Sequence, residues 1–222
     1  MILEAIVTTT NAAGQVNVAP MGPTVDRDLT RFTLKPFRPS TTYDNLKATG
    51  RATIHVTDDS LLFARAVTHC LTPLPPLTAV GLHKTGAQQP TGDTNPGQME
   101  SGEIETGQTV VTGEVGWWAL SDACRYFAVE VTDWRDDDPR AIAACRVIET
   151  AEWRPFFGFN RAKHAVIEAA ILASRAHFLD RQMIEKQMHE LAVLVDKTAG
   201  DAEYEAFSLI ENYLAGLAGA AG

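Results

Sequence analysis

Cysteine is scarce in this chain of 222 residues. Cys70, Cys124 and Cys145 are scattered, odd in number and never spaced as CxxC. That pattern excludes a disulfide frame and a thiolate zinc site, and it reads as buried free thiols in a reducing compartment. No run approaches the roughly 18 apolar residues that span a bilayer. The opening MILEAIVTTT has no basic flank and no long apolar core, so it does not read as a secretory signal. A soluble, cytoplasmic protein with no membrane partner is expected. Positive charge is also in deficit, with 19 Lys and Arg against 28 Asp and Glu and a formal net charge of −9. Binding to a polyanion needs a basic face, so nucleic acid is not an expected partner. GxGxxG, the P-loop and the GxSxG elbow are all missing, which sets aside a Rossmann cofactor, an NTPase and a serine hydrolase. Glu185 and His189 stand one helical turn apart without a third ligand, so no metal site is expected.

What is present is an ordinary globular composition, 45% hydrophobic and 21% charged. The period of the apolar residues changes near residue 155. Before it, ILEAIVTTT, QVNVAPM, RFTLKP, RATIHVT, TVVTGEVGWWAL, YFAVEVTDW and RAIAACRVIETAEW are β-branched or alternating and predict strands. NAAG (11–14) and RDDDPR (135–140) predict the turns of two hairpins. The expectation is an antiparallel barrel or sandwich. After WRPFFGFN the period becomes helical. RAKHAVIEAAILASRAHFL brings Ala165, Ile167, Ile171, Leu172 and Phe178 close to one face. Two more helices follow, with Asp180 and Asp201 as candidate N-caps and Gly200 as a candidate C-terminal glycine. The domain organisation expected is 1–155 for the β unit and 156–222 for a helical segment packed on it. Residues 81–109, rich in Gly, Pro, Thr and Gln, read as a mobile loop.

One stretch carries chemistry. KPFRPSTTYDNLKATG (35–50) predicts a short helix with a hydroxyl N-cap and Gly50 at its end. Pro36 and Pro39 hold the approach extended. Lys35, Arg38, Ser40, Thr41 and Thr42 therefore gather around the open N–H groups of the first turn. A helix N-terminus favours an anion, and an arginine can grip two phosphate oxygens at once. Spacing alone leaves two readings open, a phosphate site or a well-capped surface helix.

The motifs around this helix resemble the FMN-binding split-barrel superfamily, which contains flavin reductases. The matching pieces are an N-x-A-P stretch (Asn17, Ala19, Pro20) on a hairpin and R-x-S-x-T-x-x-N (Arg38, Ser40, Thr42, Asn45) on the following helix. More closely, ILEAIVTTTNAAGQVNVAPMG, RPSTTYDNL and RAKHAVIEAAILASR are similar to the domain of unknown function 447 family, a resemblance that covers nearly the whole chain. It implies an antiparallel split β-barrel with a C-terminal helical segment, and FMN as cofactor. Arg38, Ser40, Thr41 and Thr42 would hold the FMN phosphate, with Lys35 as a second charge and Asn45 orienting the loop. Ala19, Pro20, Met21 and Gly22 would follow the edge of the flavin ring, and His55, Val56 and Thr57 would line the neighbouring strand. Each also has a plain structural reading, as a turn or strand residue. His55 stands where the related flavin reductases carry asparagine, and 81–109 looks like an insertion.

Superfamily members dimerise with FMN near the interface, so a homodimer is implied, and Arg161 or Lys163 could reach the partner subunit's cofactor. The alternative for that pair is ordinary surface charge. Broad apolar helix faces and the adjacent Trp117 and Trp118, which must point to opposite faces of a strand, also favour a dimer. Two functions remain open, a flavin reductase-like oxidoreductase acting on an unknown small molecule, and a module that binds FMN or another phosphate ligand without turnover. No side chain stands out as a catalytic acid or base, which suits chemistry carried by a cofactor.

Overall fold

The computed structural model describes residues 1–81 and 116–220. The segment read as a loop, beyond Gly81, and the TVVTGEV part of one predicted strand lie outside the described residues. Seven strands form one antiparallel sheet in the order β2-β1-β5-β8-β9-β4-β3. They are β1 (Ala5–Thr10), β2 (Val16–Met21), β3 (Thr24–Val25), β4 (Arg31–Leu34), β5 (Arg51–Val56), β8 (Arg125–Arg135) and β9 (Ile142–Glu152). β6 (Leu77–Val80) and β7 (Trp117–Leu120) pair separately. The long β8–β9 ladder shifts register at Ala128/Val129 and again at Val131/Asp133. Such irregularities bend a sheet and raise its twist, and here the sheet curls into a half-barrel.

The predicted split barrel is therefore the fold. Its inner face closes around Val7, Phe32, Leu34, Ile54, Phe127 and Val129, all essentially inaccessible. Phe32 and Phe127 meet at 5.1 Å between ring centroids. Burying side chains of this size contributes roughly 2–3 kcal/mol each. Proline is tolerated at Pro20 because β2 is an edge strand. Gly14 takes φ 81° in the first hairpin, where the Asn11 carbonyl accepts its N–H. RDDDPR is the connection between β8 and β9, as expected.

Five helices complete the chain: α1 (Thr41–Thr49), α2 (Ser60–Val67), α3 (Arg161–Ser174), α4 (Arg181–Thr198) and α5 (Asp201–Ala220). α2, β3 and β6 have no counterpart among the elements expected from the sequence. α2 is started by Asp59, whose carboxylate accepts the Leu62 N–H at 3.0 Å. It joins the sheet to the C-terminal helices, because Ala64 and Val67 share a core with Ala169, Val195, Phe207 and Ile210.

Four expectations need correction. The buried face of α3 is Ala162, Ala165, Val166, Ala169, Ala170 and Ala173, small residues that let the neighbouring helices come close. Ile167 and Ile171 are only partly covered and Phe178 lies beyond the helix, 80% exposed. Gly200 does not close α4 in a left-handed conformation. Ala199 ends that helix extended, and the Gly200 carbonyl instead accepts the Tyr204 N–H while Glu203 Oε2 accepts the Gly200 N–H at 2.9 Å. This is the N-cap of α5 with a glutamate at the third position reaching back, so Asp201 is the first helical residue and not the cap. Trp117 and Trp118 do part to opposite faces, but the chain itself buries the first and partly covers the second. Trp117 donates Nε1–H to the Val129 carbonyl at 2.9 Å, and Trp118 packs on the cluster of Ile6, Val16 and Phe63. Among the described residues no helix is long and apolar enough to cross a membrane.

Candidate functional site

The α1 N-terminus is built by local chemistry. Ser40 is extended (φ −158°, ψ 153°) and its Oγ accepts the Tyr43 N–H at 3.1 Å. At the other end Gly50 takes φ 66° and donates its N–H to the Leu46 carbonyl. Two asparagines bolt this helix to the sheet. Asn17 donates to Thr42 Oγ1 at 3.0 Å, and buried Asn45 donates to Thr9 Oγ1 at 3.1 Å. The Thr42 hydroxyl therefore accepts from one side and keeps its proton to donate elsewhere.

Ser40 and Thr42 open onto a cleft of about 480 Å³, within the size range of small-molecule sites. One wall is the end of β2, with Ala19, Pro20 and Met21, together with Gly22 just past the strand; another is Lys35, Pro36 and Phe37. A third is the outer face of α3, with Ile167, Ile171 and Arg175. Gly22 sits tightly, since a Cβ there would meet Ile2 Cγ2 at 3.0 Å.

The structure thus brings together Lys35, Ser40, Thr42, Ala19, Pro20, Met21 and Gly22 from the predicted set. Asn17 and Asn45 stand behind them as anchors. Arg38 and Thr41 are exposed beside the cleft rather than on its wall. The Arg38 guanidinium lies over the Tyr43 ring, 5.2 Å from its centroid. Tyr43 and Lys47 both bond Asp136, at 3.0 and 2.8 Å, tying α1 to the β8–β9 connection.

The remaining predicted residues lie elsewhere. His55 is wholly buried, and both ring nitrogens are engaged: Nδ1 with the Ile6 carbonyl at 2.8 Å and Nε2 with the Leu120 N–H at 3.1 Å. Burial holds its pKa down to about 4, and its ring joins the two sheets instead of facing a ligand. Val56 packs on the barrel core, and the Thr57 hydroxyl accepts the Asp59 N–H at 3.1 Å. Lys163 is turned inward, bonding Glu203 Oε1 and the Asp58 carbonyl, each at 2.8 Å. Arg161 is exposed at the start of α3.

Three charged residues on the cleft were missed: Glu4, Arg140 and Arg175. Arg140 reads in sequence as the end of an acidic turn, and Arg175 as a surface helix residue. Only the β4–β9 pairing, which aligns Leu34 with Ala143, brings residue 140 opposite Phe37. Glu4 has its pKa raised, by burial first and by Glu168 next, with Arg175 acting in the opposite sense.

Family models described as protein of unknown function (DUF447) match this chain twice, the N-terminal domain over residues 3–83 and its companion over residues 160–212. The chain belongs to the DUF447 family. No curated protein matches it. Among solved structures it is similar to the FMN-bound DUF447 protein MM1853 from Methanosarcina mazei. That likeness has a TM-score of 0.67 at 22% identity, covering 96% of this chain and 94% of the other. A flavoredoxin from Methanosarcina acetivorans follows at 0.45 and 8% identity, over 68% of this chain and 69% of that one. The styrene monooxygenase flavin reductase of Pseudomonas putida S12 gives 0.40 and 13%, over 68% and 80%. The first of these shows the same fold over nearly the whole length of both chains.

Proposed function

We propose that the cleft holds FMN and that this DUF447 protein is a flavin reductase-like oxidoreductase acting on a small molecule. The observation that carries the reading is a capped α1 N-terminus opening, through Ser40 and Thr42, onto a cleft that Lys35 also lines. An FMN-bound relative with the same fold supports the choice of ligand. The residues fit the group. Ser40, Thr42 and Lys35 offer two hydroxyls, a cation and helix N–H groups to a phosphate, with Arg38 at the rim. Ala19 to Gly22 belong to or follow an edge strand, which leaves backbone groups open to the rim of a flat ring. Bound FMN supplies the electron-transfer chemistry; the chain binds it, orients it and shields it from water.

We infer as well that two copies associate near this cleft. The aromatic loop at 156–159 supports this, because Phe63 and Ile167 line both the cleft and a small cavity that Phe156 also lines.

Titrating FMN and riboflavin separately tests the site. Each charge-assisted hydrogen bond to the phosphate contributes roughly 1.5–3 kcal/mol, so FMN is expected to bind about 10- to 150-fold more tightly than riboflavin for each such contact. Thr42→Val and Lys35→Ala should narrow the gap, leaving riboflavin affinity nearly unchanged. Equal affinity for the two flavins in wild type would reduce the stretch to a capped helix. Anaerobic addition of NADH or NADPH then separates an enzyme, whose bound flavin bleaches, from a protein that only carries it.

A further inference from the structure

Arg140 and Arg175 line the cleft from two elements far apart in sequence, the start of β9 and the end of α3. Among the described residues neither guanidinium forms an ion pair with a carboxylate. Both therefore face one cleft with no carboxylate bound to either guanidinium. Arg140 is also held in place. It lies over the Phe37 ring, 3.4 Å from the centroid, and donates from Nη1 to the Lys35 carbonyl at 3.1 Å. Burial and the nearby Arg175 charge both disfavour its charged form, the condition that an arriving anion relieves. Glu4 lies on the same cleft and offsets part of the Arg175 charge, as does the carbonyl end of α3. Neither supplies a hydrogen-bonded oxyanion to the pair.

The geometry points to an oxyanion position at Arg140 and Arg175, on the same cleft as the α1 N-terminus, that takes a phosphate or carboxylate of a second ligand besides the flavin. Arg140, stacked and hydrogen-bonded, offers a fixed fork. Arg175, exposed just past the end of α3, supplies a second guanidinium to the same anion. This goes beyond the flavin reading, and assigns the small molecule to a class, one bearing an acidic group.

Calorimetry with inorganic pyrophosphate and with citrate, on protein alone and on FMN-saturated protein, tests the assignment. One probe is expected to bind the FMN-saturated wild type at one site, and which of them does so separates phosphate from carboxylate chemistry. Arg140→Ala or Arg175→Ala should weaken that binding about tenfold or more, the loss of one bidentate contact. Arg175→Lys should recover part of it. FMN affinity in Arg175→Ala should stay within about threefold of wild type, whereas losing a direct phosphate contact costs tenfold or more. Probe binding that ignores both arginines, exclusion of both probes by FMN, or an FMN loss in Arg175→Ala equal to that in Lys35→Ala would each overturn it. If wild type fails to bind FMN, the flavin reading falls alone. The probe titrations on the protein by itself then decide the arginine pair, upheld by Arg175-dependent binding and overturned without it.

Discussion

A buried imidazole has to find a donor and an acceptor at once. His55 does so by donating from Nδ1 to the Ile6 carbonyl of β1 and accepting at Nε2 from the Leu120 N–H of β7. It thereby links two sheets that share no backbone ladder. Sequence patterning could place this histidine on a strand but not tell which face it used, since the covering strand lies 65 residues away. Its titration has a definite sign. The folded pKa is about 4 and the unfolded value near 6.5. Above pH 6.5 both states are neutral. As pH falls from 6.5 to 4 the unfolded chain takes up a proton that the folded chain refuses, so stability drops. The full difference amounts to roughly 3 kcal/mol. Urea unfolding followed across that window should show the decline, and His55→Asn, which keeps one donor and one acceptor, should flatten it. An unchanged slope in the variant would assign the decline to other groups.

At the level of elements, legibility followed distance along the chain. α1 could be read because its start and stop signals, Ser40 and Gly50, belong to the helix itself. The β1–β2 hairpin and the β8–β9 connection were equally local. α2 escaped because eight residues starting with SLLF carry too few turns to show a period. The cleft was half legible. Its phosphate-type residues lie within eight positions, whereas Arg140 and Arg175 arrive through strand register and helix packing. Glu203 shows the same division at the helical end. It caps α5 locally through the Gly200 N–H, and it also holds Lys163 of α3 at 2.8 Å, a contact no local pattern announces. Both side chains are mostly covered, 21% exposed for the lysine and 9% for the glutamate. Glu203→Ala is expected to cost about 2–4 kcal/mol, a lost cap plus a mostly buried cation left with the Asp58 carbonyl but no carboxylate. Glu203→Gln keeps the cap and should lose less. Denaturant midpoints at constant m-value measure both, and equal losses would mean that the cap contributes nothing.

For the whole molecule, the exposed aromatics are the feature that a single copy leaves uncovered. Phe157 and Phe159 are 73% and 95% exposed, beside Phe156 and Trp153. Their loop is nevertheless fixed. The Asp58 carboxylate takes Arg154 Nη2 at 2.6 Å, Arg154 Nη1 at 3.1 Å and the Phe157 N–H at 2.7 Å. These contacts, the arginine first, hold its pKa near 2 and the clamp stays charged at any working pH. Light scattering at micromolar concentration is expected to give a dimer, and the double variant Phe157→Asp/Phe159→Asp a monomer. A wild-type monomer would remove the proposed association. The clamp also has a kinetic consequence. A patch already held in shape loses little freedom on docking, so the encounter of two copies is governed by their long-range repulsion, −9 against −9. Salt shortens the reach of that repulsion from about 30 Å at 0.01 M to about 10 Å at 0.1 M. Subunit association should therefore quicken as salt is added, the reverse of a pair drawn together by opposite charge.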